Sequence, residues 1–128
     1  MGTLLINSHP AMVLFDSGAT FSFISKKFML HSKLEMQNLP VPYHIESPGG
    51  EIIARHFASE VSILIEGVTF RANFLILDKL ELDVILGMNW LGKHDGVIKC
   101  GPRTIDILHP LGVKFSSLFP RWNLICML

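Results

Sequence analysis

Asp16 stands where acid–base chemistry could be done. It closes an apolar run, Ala11-Met12-Val13-Leu14-Phe15, and is followed at once by Ser17, Gly18, Ala19 and Thr20. The run has the length and character of a buried strand. Asp, Ser and Gly each favour tight backbone geometry, so the tripeptide reads as the turn that ends that strand. A carboxylate at the end of an oily strand is expensive to bury as a charge, which leaves its protonation open to control by its surroundings. Most Asp-Ser-Gly tripeptides are only turns, so the rest of the chain must decide between the two readings.

Other chemistries lack their residues. The six histidines are scattered, with no H-x-x-x-H, H-E-x-x-H or Cys/His spacing, and read as surface or turn residues; no metal or cofactor is expected. No serine sits in a G-x-S-x-G elbow, and neither G-x-G-x-x-G nor a phosphate-loop motif occurs. Cys100 and Cys126 are too few for a disulfide framework, and Cys100 reads as a buried structural thiol. Trp90, Trp122 and the phenylalanines read as core. Eleven basic and eleven acidic residues cancel, so no nucleic-acid or anionic-membrane partner is expected. No apolar run approaches the roughly 20 residues that span a bilayer. The N-terminus lacks the basic flank of a signal peptide, Ile6 breaks the myristoylation pattern, and there is no Asn-x-Ser/Thr site. A soluble, cytoplasmic or otherwise intracellular protein is the expectation.

The elements that must hold Asp16 are short and mostly extended. Hydrophobic residues make up 49% of the chain and charged ones 17%, enough for one globular domain with its own core. Residues 2–7 read as a first strand, turned at Ser8-His9-Pro10 into a hairpin with residues 11–15. Ser25 can cap one short helix through Phe28 and Met29, which Pro40 and Pro42 keep from continuing. Residues 41–45 and 52–54 flank Pro48-Gly49-Gly50, a hairpin tip. Residues 60–66 and 69–77 form a second hairpin about Gly67, the latter with Phe70, Ala72, Phe74 and Ile76 on one face. Residues 82–87 are a buried strand, followed by a two-turn helix over 88–94 with Asn89 as a candidate cap. A last hairpin joins 96–100 to 104–108. The pattern is all-β with two small helices, a closed barrel or sandwich.

Three features then stand in order: the strand ending in Asp16-Ser17-Gly18-Ala19-Thr20, the Pro48-Gly49-Gly50 hairpin, and Val84-Ile85-Leu86-Gly87 before a short helix. Together with Ser22-Phe23-Ile24-Ser25 and Asp83-Val84-Ile85-Leu86-Gly87-Met88-Asn89-Trp90-Leu91, they resemble the retropepsin-like aspartic proteases, most closely the protease region of plant Ty3/gypsy-type retrotransposon polyproteins. The resemblance covers about residues 2 to 110. It implies an acid-protease half-domain over 1–115, with 116–128 an atypical tail.

The resemblance also assigns roles. Asp16 would be the catalytic aspartate, Ser17 would brace the active-site turn, and Gly18 would let it approach substrate. Ala19, Thr20, Pro48, Gly49 and Gly50 would line the peptide, the last three as a flap. Ile85, Leu86, Gly87 and Asn89 would support the turn from behind. Aspartic protease chemistry needs two carboxylates sharing a proton, and the chain has a single Asp-Ser-Gly. The implied enzyme is therefore a homodimer with Asp16 facing Asp16, cleaving extended peptides or a polyprotein. Asn89 stands where many plant members carry Asp, and Phe21 where close relatives often carry His. The alternative from another class is a fold kept without catalysis: a dimerisation or peptide-binding module, or a decayed retroelement remnant. A β-domain whose Asp-Ser-Gly is only a turn is the third reading.

Overall fold

A computed structural model describes residues 4–47, 49–99, 101–109, 111–112, 114–118 and 124–125. It is mostly β. The strands are β1 (Leu4–Ile6), β2 (His9–Pro10), β3 (Val13–Asp16), β4 (Phe23–Ser25), β5 (Gln37–Ser47), β6 (Gly50–Ile65), β7 (Val68–Leu77), β8 (Val84–Leu86), β9 (Val97–Lys99), β10 (Thr104–Leu108), β11 (Lys114–Leu118) and β12 (Leu124–Ile125). Two six-residue helices interrupt them, α1 (Lys26–His31) and α2 (Met88–Lys93).

One large curled sheet runs in the order β12-β3-β8-β4-β7-β6-β1-β2, with β5 paired onto β6; β9, β10 and β11 form a smaller antiparallel sheet. The site depends on the middle of this order. β8 lies between β3 and β4, parallel to β3 and antiparallel to β4, while β4 runs parallel to β7. Parallel neighbours need long connections, so the strand bearing Asp16 is held by a partner some seventy residues away, Phe15 opposite Leu86.

Local chemistry explains the hairpins. Glu66 and Gly67 both take positive φ, the geometry of the tight turn that matches strand twist, and join Ile65 to Val68. At the β5–β6 tip, Ser47 pairs with Gly50 and Gly50 has φ +119°. Pro48 lies outside the described residues. Ser25 caps α1 as its side chain requires, its Oγ accepting the Phe28 N–H at 3.0 Å.

Several expectations are corrected. The first turn is Asn7-Ser8, both at positive φ, and not Ser8-His9-Pro10. β1 then pairs with β2 and β6, so the strand over residues 13–16 leaves the hairpin to join β8. The segment 52–54 and residues 60–65 of the segment 60–66 belong to one strand, β6, whose register shifts between Ala58 and Val61, where Glu60 has φ 51°; Glu66 lies in the turn that follows. Gly87 and not Asn89 is the N-cap of α2. His94 is buried at 2% exposure and is not a surface residue. Cys100, Cys126 and Trp122 lie outside the described residues.

The core fills the curl of the sheet. Ile6, Phe15, Ile24, Met29, Ile63, Ile65, Phe70, Phe74, Leu86 and Leu91 are shut off from solvent, and each such side chain contributes about 1.5–3 kcal/mol relative to exposure. Phe15 and Phe70 pack on Trp90. A second, smaller cluster of Phe23, Ala54, Leu75 and Leu77 lies on the other face of β4 and β7. Alternation along β7 sends Phe74 to the first cluster and Leu75 to the second.

Candidate active site

Asp16 is the last residue of β3, and the chain folds back on its carboxylate immediately. Gly18 N–H donates to Asp16 Oδ1 at 2.8 Å, and Ala19 N–H donates to the Asp16 carbonyl at 3.2 Å. The carboxyl group is half-buried, set at a strand end with one oxygen held by the turn. Ser17 and Ala19 are half-buried, and Gly18 and Thr20 are exposed.

The far side of the turn rests on the start of α2. The first N–H groups of a helix have no partner within it. Here Met88 N–H donates to the Ala19 carbonyl at 2.7 Å and Asn89 N–H to the Thr20 carbonyl at 3.1 Å. Gly87, just before, is required by space. A Cβ there would overlap the carbonyl oxygen of Phe21 and lie 2.7 Å from that of Ala19.

One buried hydroxyl ties these pieces together. Ser22, at 1% exposure, donates to Asn89 Oδ1 at 2.7 Å and accepts the Gly87 N–H at 3.0 Å. The base of the turn strand is clamped too: Met12 N–H donates to Asp83 Oδ2 at 2.8 Å, and its carbonyl accepts from Asp83 and Val84. Ser22 and Asp83 both stand in motifs that carry the resemblance, but the sequence assigns neither a role at the site. A signal for Ser22 existed, a lone hydroxyl inside the apolar run Phe21-Ser22-Phe23-Ile24. The bond that Asp83 makes has no local signal, because its partner is 71 positions away.

Of the expected residues, Asp16, Ala19, Thr20, Gly87 and Asn89 are joined through this bonded turn, with Gly18 closing onto Asp16. Leu86 is buried behind it in the main core, and Ile85 packs on the smaller cluster. Ala19 and Phe21 from the turn pack on that same cluster, as do Leu39, Ile45 and Ile52 of the β5–β6 hairpin. The hairpin thus meets the turn through its base, where the rings of Phe21 and Tyr43 stand 5.5 Å apart edge to face. Gly49 and Gly50 are exposed at its tip. Among the described residues, no group of three His, Cys, Asp or Glu could hold a metal ion, and no helix is long and apolar enough to cross a membrane.

An Asp-bearing strand end, braced by a parallel strand and a following short helix under a long hairpin, defines the aspartic protease half-fold. The chain belongs to the retroviral aspartyl protease family, whose model matches residues 1–110. None of the curated proteins matches it. Among solved structures it is similar to the retroviral protease-like domain of Ddi1 from Leishmania major, at 15% identity and a TM-score of 0.70, over 93% of this chain and 92% of that one. It is also similar to the EIAV protease complexed with the inhibitor HBY-793, at 25% identity and a TM-score of 0.58, over 71% of this chain and 83% of that one.

Proposed function

We propose that this chain is an aspartic endopeptidase that works as a homodimer, with the two Asp16 carboxyl groups sharing one proton. The observation that carries the reading is the held turn: a single Asp16 at a strand end, its oxygen fixed by Gly18 N–H and its flanks by α2. In this chemistry one Asp16, ionised, takes a proton from water while the water oxygen bonds to the scissile carbonyl carbon. The other Asp16, protonated, gives its proton to the carbonyl oxygen. The resulting gem-diol collapses as the C–N bond breaks and the amine nitrogen takes up a proton. Two like charges this close cannot both be ionised, which is why the pair divides the roles. Ser17 braces the turn against the partner copy. Ala19, Thr20 and the hairpin tip at Pro48, Gly49 and Gly50 line the peptide, and Ile85, Leu86, Gly87 and Asn89 support the turn. The substrate class is an extended polypeptide, in keeping with polyprotein processing in a retroelement.

The test is cleavage of an unfolded protein at mildly acidic pH by the wild-type chain and by Asp16→Asn, with sedimentation to read the dimer. Cleavage by wild type alone supports the reading. Equal cleavage by both overturns it.

A second reading, an inactive fold serving as a binding or dimerisation module, is favoured by one observation. β12 lies parallel to β3, Leu124 opposite Phe15 and Ile125 opposite Asp16, so the edge beside Asp16 is occupied by the chain's own backbone. Folded wild-type protein that cuts nothing would favour this reading, as a binding module if it sediments as a monomer and as a dimerisation module if it sediments as a dimer.

A further inference from the structure

Another backbone can hydrogen-bond to β3 only along one of its two edges. One edge is taken by β8, which pairs with Val13, Leu14 and Phe15. The other, at Phe15 and Asp16, is taken by Leu124 and Ile125 of β12, running parallel to it. The chain thus lays a strand of its own against the residue proposed to do the chemistry.

That strand is lightly attached. β9, β10 and β11 form a sheet of their own, and β12 leaves it to end the large sheet. Residues 119–123 separate Leu118, the last of β11, from Leu124. The ladder on β3 is two residues long, and β12 is outermost in the order of the sheet. Local opening begins at short outer elements of this kind. The run Leu124-Ile125-Cys126-Met127-Leu128 carries no charge, the character of a segment that adds to a strand edge.

We propose that β12 is an autoinhibitory latch: paired on β3, it withholds the backbone edge at Phe15 and Asp16 from a second copy, and its release lets the two Asp16 ends meet. This rests on the endopeptidase reading, because the site it closes is complete only with Asp16 of a second copy. Only chains with the latch open can pair, so the apparent affinity of the dimer falls with the open fraction. Dimerisation and catalysis are then held back together at low concentration and recovered together at high concentration. The occupied edge is a reversible state of an active chain and not the mark of an inactive one.

The experiment compares the 128-residue wild-type chain with the double variant Leu124→Pro, Ile125→Pro, each checked for folding by circular dichroism. Proline has no N–H, so whichever of the two residues donates to β3, that bond is lost. Sedimentation over a concentration series reads the dimer, and cleavage of an unfolded protein at mildly acidic pH reads activity. The double variant should dimerise at about 10-fold lower concentration than wild type, the scale of one or two backbone bonds, and its cleavage at low concentration should rise in step. A synthetic peptide of residues 119–128 added to the double variant should restore the monomer and slow cleavage. The same peptide carrying Leu124→Pro and Ile125→Pro should do neither. If the double variant fails to fold, Leu124→Gly with Ile125→Gly, which keeps both donors and weakens the strand, should shift the dimer in the same direction by a smaller factor. Equal dimerisation of wild type and the folded variant, a dimer weakened by the substitutions, or a peptide without effect overturns the latch and leaves the endopeptidase reading intact where wild type cleaves. A dimer tightened as expected, with no cleavage by either chain, supports the latch and overturns the endopeptidase reading.

Discussion

The Ser22 hydroxyl donates to the Asn89 side-chain oxygen at 2.7 Å across 67 positions of sequence. The Ser22 Oγ in turn accepts the Gly87 N–H at 3.0 Å. This couples β4, the end of β8 and α2 in one bonded unit beneath the Asp16 turn. Ser22→Ala would leave a buried Gly87 N–H without an acceptor and free the Asn89 side chain. The expected loss is about 1–3 kcal/mol, the usual cost of a stranded buried group, read as a lower urea midpoint. Catalysis should fall further than stability does, since Asn89 N–H also holds the Thr20 carbonyl.

Gly87 should tolerate no side chain. A methyl group there would overlap the Phe21 carbonyl and press on that of Ala19, both of them main chain and neither able to swing aside. Gly87→Ala is expected to cost roughly 3 kcal/mol or more, at the upper end of overpacking penalties, and to displace the turn it supports. Gly92→Ala, with open space at the same test position, should be neutral or stabilising by thermal denaturation.

The Asp83 carboxylate clamps Met12 N–H at 2.8 Å, four residues before Asp16. Asp83→Ala should destabilise by about 1 kcal/mol, the net worth of one such bond. Asp83→Asn retains an acceptor oxygen and should recover most of it. Equal losses in chemical denaturation would show that the carboxylate's charge, and not its bond to Met12, matters.

His94 makes stability depend on pH. Burial against Phe70 and Trp90 holds its imidazole below the ordinary value of 6.5. A backbone hydrogen bond at Leu108 opposes this, the charge of Lys93 adds to it, and Arg71 backbone and His109 contribute less. Among the described residues its Nε2 has no hydrogen-bond partner. The unfolded chain therefore takes up a proton at this residue before the folded chain does. The stability contributed by neutral His94 is complete above pH 6.5 and is lost as pH falls through 6.5 toward the lower folded value. Between about pH 7.5 and about pH 5, where histidines titrate, the urea midpoint of wild type should fall more than that of His94→Phe. Parallel slopes for the two would exclude His94 as the cause. The residue caps α2 and its carbonyl accepts the Leu108 N–H at 2.7 Å, so the acid-sensitive joint lies in the helix that braces the turn.

Much of this was legible in the sequence, and the reason is locality. Asp16-Ser17-Gly18 is a turn because its own side chain and the next N–H groups close it. Ser25 caps the helix that begins beside it, and Glu66-Gly67 makes its hairpin within four residues. Alternation along residues 69–77 marks one buried face for the same reason, a two-residue period that needs no partner to be seen. The three motifs in order carried the family, and the family carried the fold. What needed the tertiary structure was every choice of distant neighbour. The residues over 13–16 could have closed a hairpin with the first strand, since both are short and apolar. They join β8 instead because parallel pairing is decided by which faces the whole core must bury. Asn7-Ser8 lacks the usual glycine, yet Asn tolerates positive φ and its side chain reaches the Ser32 carbonyl, a partner 25 positions on. His94 lies inside because Phe70 and Trp90 close over it, and no spacing near residue 94 foretells that. Local residue types determine turns, caps and periodicity; long-range burial determines which strand lies beside Asp16 and what Phe21 faces.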